Sequence, residues 1–123
     1  MGLGMTRDVT VLVAEDEYLV ALDVTATLVS AGYCAVVANT CERGLELVQS
    51  ELLHAAVVDV MLQDAECEEL AAALSASHVP VVYYTALPDA PLIRDWPGLV
   101  LPKPARPEVI VACLDRALNG TVH

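Results

Sequence analysis

Short apolar runs alternate along the chain with longer stretches in which apolar residues recur every third or fourth position. Val9–Ala14 ("VTVLVA") is brief, β-branched and apolar, the pattern of a buried strand. From Glu17 to Ala31, Leu19, Val20, Leu22, Val24, Leu28 and Val29 fall at roughly helical spacing, and Gly32 supplies a stop. Residues 33–38 ("YCAVVA") predict a second strand, and Thr40 can cap a helix running to about Leu53. A third strand covers Ala55–Val60, and Asp64 or Ala65 opens a third helix ending near Ser77. "VPVVYY" (79–84) and Leu99–Leu101 are the fourth and fifth strands. Pro107 suits the first turn of a last helix that closes at Gly120.

Five alternations of strand and helix with short connections predict an α/β domain: a doubly wound, five-stranded parallel sheet with helices on both faces. Residues 9–119 form that single domain, and 1–8 are read as a loose N-terminal segment. "MGLGMT" matches a short myristoylation pattern, but a loose start before the first strand is the reading adopted. No apolar run approaches the roughly 18 residues needed to cross a bilayer.

Charge narrows the partners. Seventeen acidic residues against six basic ones give a net charge of −11, which repels phosphate backbones and anionic lipid. Nucleic acid and membrane surfaces are therefore excluded as partners. Cys34, Cys41, Cys67 and Cys113 show no CxxC spacing, and His54, His78 and His123 stand apart from them. They are read as small buried hydrophobes or surface thiols of a reducing cytoplasm, not as a zinc site or disulfide framework.

One residue breaks the apolar pattern. Asp59 stands inside "HAAVVDVML", where an ionised carboxylate is costly unless paired. In a parallel α/β sheet the ligand crevice lies beyond the carboxyl ends of the strands. Asp59 falls at such an end, as do Glu15-Asp16-Glu17, Thr85 and, just after the fifth strand, Lys103. Converging carboxylates suit a hard divalent cation, and a lysine among them supplies a compact positive charge. Each residue alone has a plain structural reading as cap, turn residue or solvated lysine; the combination on separate strand ends is far more specific.

The chain resembles the receiver domains of two-component response regulators over about residues 8–119. The residues that carry the likeness are "VAEDE", "VVDVML", "YYTA" and "LPKP". The resemblance implies a flavodoxin-like (βα)5 fold in which Asp59 accepts a phosphoryl group from a histidine kinase or phosphotransfer protein. It further implies Mg2+ held by Asp16, Asp59 and the Met61 backbone carbonyl, with Glu15 acting through a metal-bound water. Thr85 and Lys103 would hold the phosphoryl oxygens, Ala86 would leave their path open, and the Lys103–Pro104 bond would be cis. Met61 and Leu87 would flank the path of the water that removes the phosphate. Such a chain is not an enzyme in the ordinary sense, although it assists its own phosphotransfer and dephosphorylation.

Two features depart from the family. Val100 stands where receivers usually carry a switch aromatic. The stretch from Thr85 to Lys103 is short and holds Pro88, Pro91 and Pro97, so the fourth helix is expected to be shortened or absent. "YYTAL" with this short proline-rich segment resembles a bacterial subfamily of stand-alone receivers with a Phe-Ala-Thr-Gly-Tyr-like stretch, whose members often serve kinases of the HWE or a related type. Only three residues follow Gly120, so output by protein–protein contact or as a phosphate sink is expected. Two alternatives stand beside this reading: a phosphate-independent binding module, and an aspartate-nucleophile Mg2+ phosphohydrolase. The latter normally has a second aspartate where Met61 stands.

Overall fold

The computed structural model describes residues 9–63 and 65–120. The expected loose segment 1–8, and Asp64 as a helix start, lie outside the described residues. The elements run β1 (Thr10–Ala14), α1 (Tyr18–Ser30), β2 (Cys34–Ala38), α2 (Cys41–Ser50), β3 (Ala55–Val58), β4 (Met61–Leu62) and β5 (Ala65–Glu66). They continue with α3 (Glu68–Ala76), β6 (Val81–Thr85), α4 (Pro91–Asp95), β7 (Leu99–Pro102) and α5 (Pro107–Asn119).

Five strands form one parallel sheet in the order β2-β1-β3-β6-β7. Because successive strand residues face opposite sides, the apolar runs feed two separate cores. Leu12, Ala14, Ala56 and Val58 pack with Leu47 of α2, Leu70 and Leu74 of α3 and Leu92 of α4. Val11, Val13, Ala55, Val57 and Val82 pack with Val24 and Leu28 of α1 and Ile110 and Leu114 of α5. The sheet is doubly wound, as the pattern requires. Among the described residues no helix is long and apolar enough to cross a membrane.

Capping follows local chemistry. The Arg43 N–H donates to the Thr40 hydroxyl at 3.0 Å, which fixes the start of α2. Gly120 ends α5 at φ 61°, a left-handed conformation that suits glycine. Gly98 serves a different need: a Cβ there would meet the Val81 carbonyl oxygen at 2.5 Å, so the approach of β7 to β6 requires its absence.

Several boundaries differ from the sequence reading. α2 stops at Ser50 instead of Leu53 because Glu51 turns extended; Leu53 then reaches the core while Leu52 is left 79% exposed. β3 ends at Val58 instead of Val60. α3 begins at Glu68, not at Ala65, because Ala65–Glu66 pair with Met61–Leu62 as the small antiparallel hairpin β4–β5, in which Leu62 is buried. Gln63 takes the left-handed conformation at its turn, φ 49°. The fourth helix exists but is five residues long, with Pro91 in its first turn.

The cysteine reading needs correction: Cys41 and Cys67 form a disulfide, with a Cα–Cα distance of 5.5 Å. The folded topology brings these residues together across 26 positions of sequence, and no spacing motif announces that.

Tyr83 is buried and its hydroxyl donates to the Trp96 carbonyl. Burial pushes its ionisation from 10.0 up to about 12. Burial and the neighbouring Asp115 do the same for Tyr33. For a group that must stay protonated in the fold, stability is complete below the unfolded value and falls as pH rises through the folded one. Stability should therefore decline from pH 10.0 towards about 12. Tyr83→Phe should lose about 1 kcal/mol at neutral pH, from the missing hydrogen bond, and show a shallower alkaline decline. Chemical denaturation at stepped pH measures both.

Candidate functional site

The register of the central strands builds the site. Ala14 pairs with Val58, so the next residues, Glu15 and Asp59, emerge side by side from β1 and β3. The Asp59 N–H still reaches the Ala14 carbonyl at 3.0 Å, and the Glu15 N–H reaches that of Ala38 at 3.0 Å. Asp16 follows at the rim, exposed to solvent. Among the described residues, carboxylate oxygens of Glu15, Asp16 and Asp59 lie within 4.8 Å of one another. Asp59 is thus not stranded among apolar side chains; its apolar neighbours belong to the sheet below and the hairpin beyond.

Lys103 enters from the far side. Thr85 pairs with Pro102, and the Lys103 N–H donates to the Thr85 carbonyl at 2.9 Å. The Lys103–Pro104 bond is cis, as the resemblance implied. The Lys103 Nζ lies 2.7 Å from Glu15 Oε1 and 2.8 Å from Asp59 Oδ2. It also stands 5.7 Å from the centre of the Tyr84 ring, within cation–π range. The Tyr84 hydroxyl accepts from the Ala105 N–H at 3.0 Å and so holds the turn after the cis bond.

Electrostatics follow from burial and pairing. Glu15 is only 4% exposed, and burial holds its carboxyl above the ordinary value, partly offset by Lys103 and the Glu17 N–H. Burial alone would lower Lys103, but its bonds to Asp59 and Glu15 outweigh this and hold it above 10.5. The lysine is a fixed ammonium set between two carboxylates.

The remaining expected residues occupy less direct positions. Thr85 is fully buried at the end of β6, where its hydroxyl accepts from the Leu87 N–H at 3.0 Å; among the described residues it makes no hydrogen bond to Asp59. Met61 lies in β4, its N–H pointing back to Asp59 Oδ1 at 3.4 Å. Val100, in β7, is 37% exposed.

Two contacts escaped sequence reasoning. Asp16 Oδ2 accepts from the Gln63 N–H at 2.8 Å, which ties the hairpin to the acidic rim. Tyr84 lies under Lys103, and its place directly before Thr85 was the available signal. The oxygen-only donor set of Glu15, Asp16 and Asp59 fits a hard divalent cation better than a soft one.

No protein-family model matches the chain, and no curated protein does. Solved structures match over nearly its whole length. A response regulator receiver protein from Sinorhizobium medicae superposes with a TM-score of 0.79 at 23% identity, over 91% of this chain and 95% of that one. A CheY-like response regulator receiver domain protein from Methanospirillum hungatei gives 0.82 at 20% identity, over 92% and 95%. A two-component response regulator from Clostridium difficile gives 0.82 at 17% identity, over 94% and 100%. The fold is that of a receiver domain. In this receiver fold the acidic trio and Lys103 stand at the carboxyl edge of the sheet, where the topology places a ligand crevice.

Proposed function

We propose that the chain is a phosphoacceptor receiver of a two-component phosphorelay. Asp59 takes a phosphoryl group from a histidine kinase or phosphotransfer protein in the cytoplasm. The observation that carries this reading is the Lys103 ammonium seated between Glu15 Oε1 and Asp59 Oδ2, beside Asp16. Output passes to a partner protein, or the chain draws phosphate away from the kinase.

The chemistry runs through Asp59. Its carboxylate attacks the phosphorus of a phosphohistidine; the P–N bond breaks, the histidine keeps the electron pair, and an acyl phosphate forms. Negative charge develops on the equatorial oxygens during transfer. Lys103 can release Asp59 and follow a phosphoryl oxygen while remaining paired with Glu15. The Thr85 hydroxyl keeps its proton for donation, because its present bond uses it only as an acceptor. Mg2+, held by Asp16, Asp59 and the Met61 carbonyl with Glu15 through water, would supply the further positive charge that transfer needs. The chain assists its own phosphorylation and is not otherwise an enzyme. The short α4 and the "YYTAL" stretch support the subfamily with the Phe-Ala-Thr-Gly-Tyr-like stretch.

A panel of autophosphorylated histidine kinases tests the reading. At least one should lose its label rapidly to the wild-type chain in Mg2+ and none to Asp59→Asn. Equal transfer to the variant would refute the assignment.

The same reading sets how long the phosphate lasts. Met61 is half-buried and Leu87 exposed, and neither side chain can orient a water by hydrogen bonding. Self-dephosphorylation should be slow. Met61→Asn with Leu87→Glu should speed it by more than about tenfold, since positioned polar groups in proton transfer or water orientation contribute roughly 10²-fold or more. If the double variant keeps the wild-type decay rate, the two residues only pack against the loops.

A further inference from the structure

We propose that Cys41 and Cys67 are a reversible thiol–disulfide exchange site, served by a small thiol and disulfide couple of the glutathione type. Its state sets how firmly the β4–β5 hairpin beside Asp59 is held. The inference does not depend on phosphorylation of Asp59.

The geometry joins two elements at the functional edge of the sheet. Cys41 opens α2 directly after its Thr40 cap, and Cys67 stands at the start of α3, with its N–H on the Val60 carbonyl at 3.1 Å. Their Cα atoms are 5.5 Å apart, within the separation a disulfide spans. Cys41 Sγ also lies 4.0 Å from the Ala65 carbonyl oxygen, against the hairpin itself. The bridge therefore anchors the segment that leaves Asp59 to the helix beside it.

That segment has few other anchors. β4 and β5 are two residues each, and so short a hairpin is marginal without support. Gln63, Ala65 and Glu66 are exposed; Leu62 is buried, and the Gln63 N–H is held by Asp16. The helices, by contrast, do not need the bridge. Gly44 of α2 lies against Leu70 of α3 so closely that a Cβ would come within 2.9 Å of that side chain, and Leu47, Leu70 and Leu74 share one core. Reduction should loosen the hairpin and spare the fold.

Exposure orders the chemistry. Cys67 is 2% exposed and Cys41 is partly exposed, so Cys41 meets the small molecule. In oxidation, the Cys41 thiolate attacks one sulfur of the small disulfide, breaking its S–S bond and releasing one thiolate. The Cys67 thiolate then attacks Cys41 Sγ of the mixed disulfide and releases the second. The protein loses two electrons and two protons, and the small disulfide becomes two thiols. Reduction runs the same steps in reverse.

The folded chain is equilibrated with reduced and oxidised glutathione in stepped ratios, quenched in acid, and labelled with maleimide in denaturant for mass analysis. Cys41 and Cys67 should lose label together along one curve, while Cys113 follows its own. Hydrogen exchange at residues 61–66 should quicken roughly tenfold on reduction. Cys41→Ser should keep the fold, as judged by circular dichroism, and show the fast exchange at every ratio; Cys67→Ser should match it if it folds. Independent labelling of the two thiols at all ratios would overturn the proposal. So would unchanged exchange at 61–66 in both the reduced protein and Cys41→Ser.

Discussion

Lys103→Met is expected to destabilise the metal-free protein by about 3 kcal/mol at neutral pH, because breaking a buried pair leaves its charge uncompensated. Here two carboxylates are left, Glu15 and Asp59, both mostly buried and both now bonded to the same ammonium. The cost should depend on pH in a definite direction. Burial already holds the Glu15 carboxyl above 4.5, and Lys103 pulls it back. Removing the lysine lifts it further. A carboxyl whose folded value exceeds its unfolded one contributes stability that is fully present below the unfolded value and is lost as pH rises through the folded one. The deficit against wild type should thus be smallest below pH 4.5 and grow towards neutrality. Urea denaturation of both proteins across that range measures it; a deficit independent of pH would mean that the lost alkyl packing dominates.

Asp16→Ala is expected to act in the opposite sense on stability. Asp16 is exposed and belongs to the acidic trio, and the Lys103 ammonium is bonded to the other two members. Removing it relieves like-charge repulsion at the cost of the Gln63 N–H contact, so apo stability should hold level or rise. Magnesium affinity should fall on the order of a hundredfold, as expected when a ligand is removed from a site in which even outer partners matter by 10–100-fold. Calorimetric titration with Mg2+, alongside a melting curve without it, separates the two effects. A variant that binds magnesium as tightly as wild type would remove Asp16 from the site.

The sheet and its flanking helices were legible in the sequence for a physical reason. Every sheet strand is a short apolar run, and the longer helices carry apolar residues at turn spacing, with Thr40 and Gly120 marking two ends. The gathering of the candidate residues was legible because strand ends in a parallel sheet share one edge. Glu15, Asp16, Asp59 and Lys103 could therefore be placed together before any geometry was known. The β4–β5 hairpin was not legible, since two-residue strands are too short to show a period and "MLQDAE" reads equally well as the start of a helix. The Cys41–Cys67 bridge and the Gln63 contact to Asp16 depend on where separate loops arrive in space. Thr85 shows a subtler limit: its strand-end position was evident, but the bond from the Leu87 N–H was not.

The proposed function stands on phosphorylation of Asp59, assisted by the residues around it. Its most direct test is the intact mass of the chain after incubation with acetyl phosphate, with and without Mg2+, followed by site mapping after borohydride trapping. A single added phosphoryl group is expected, dependent on Mg2+, mapped to Asp59, and absent from Asp59→Asn. A folded wild-type protein that binds Mg2+ yet gains no phosphoryl group, or gains it equally in Asp59→Asn, would contradict it.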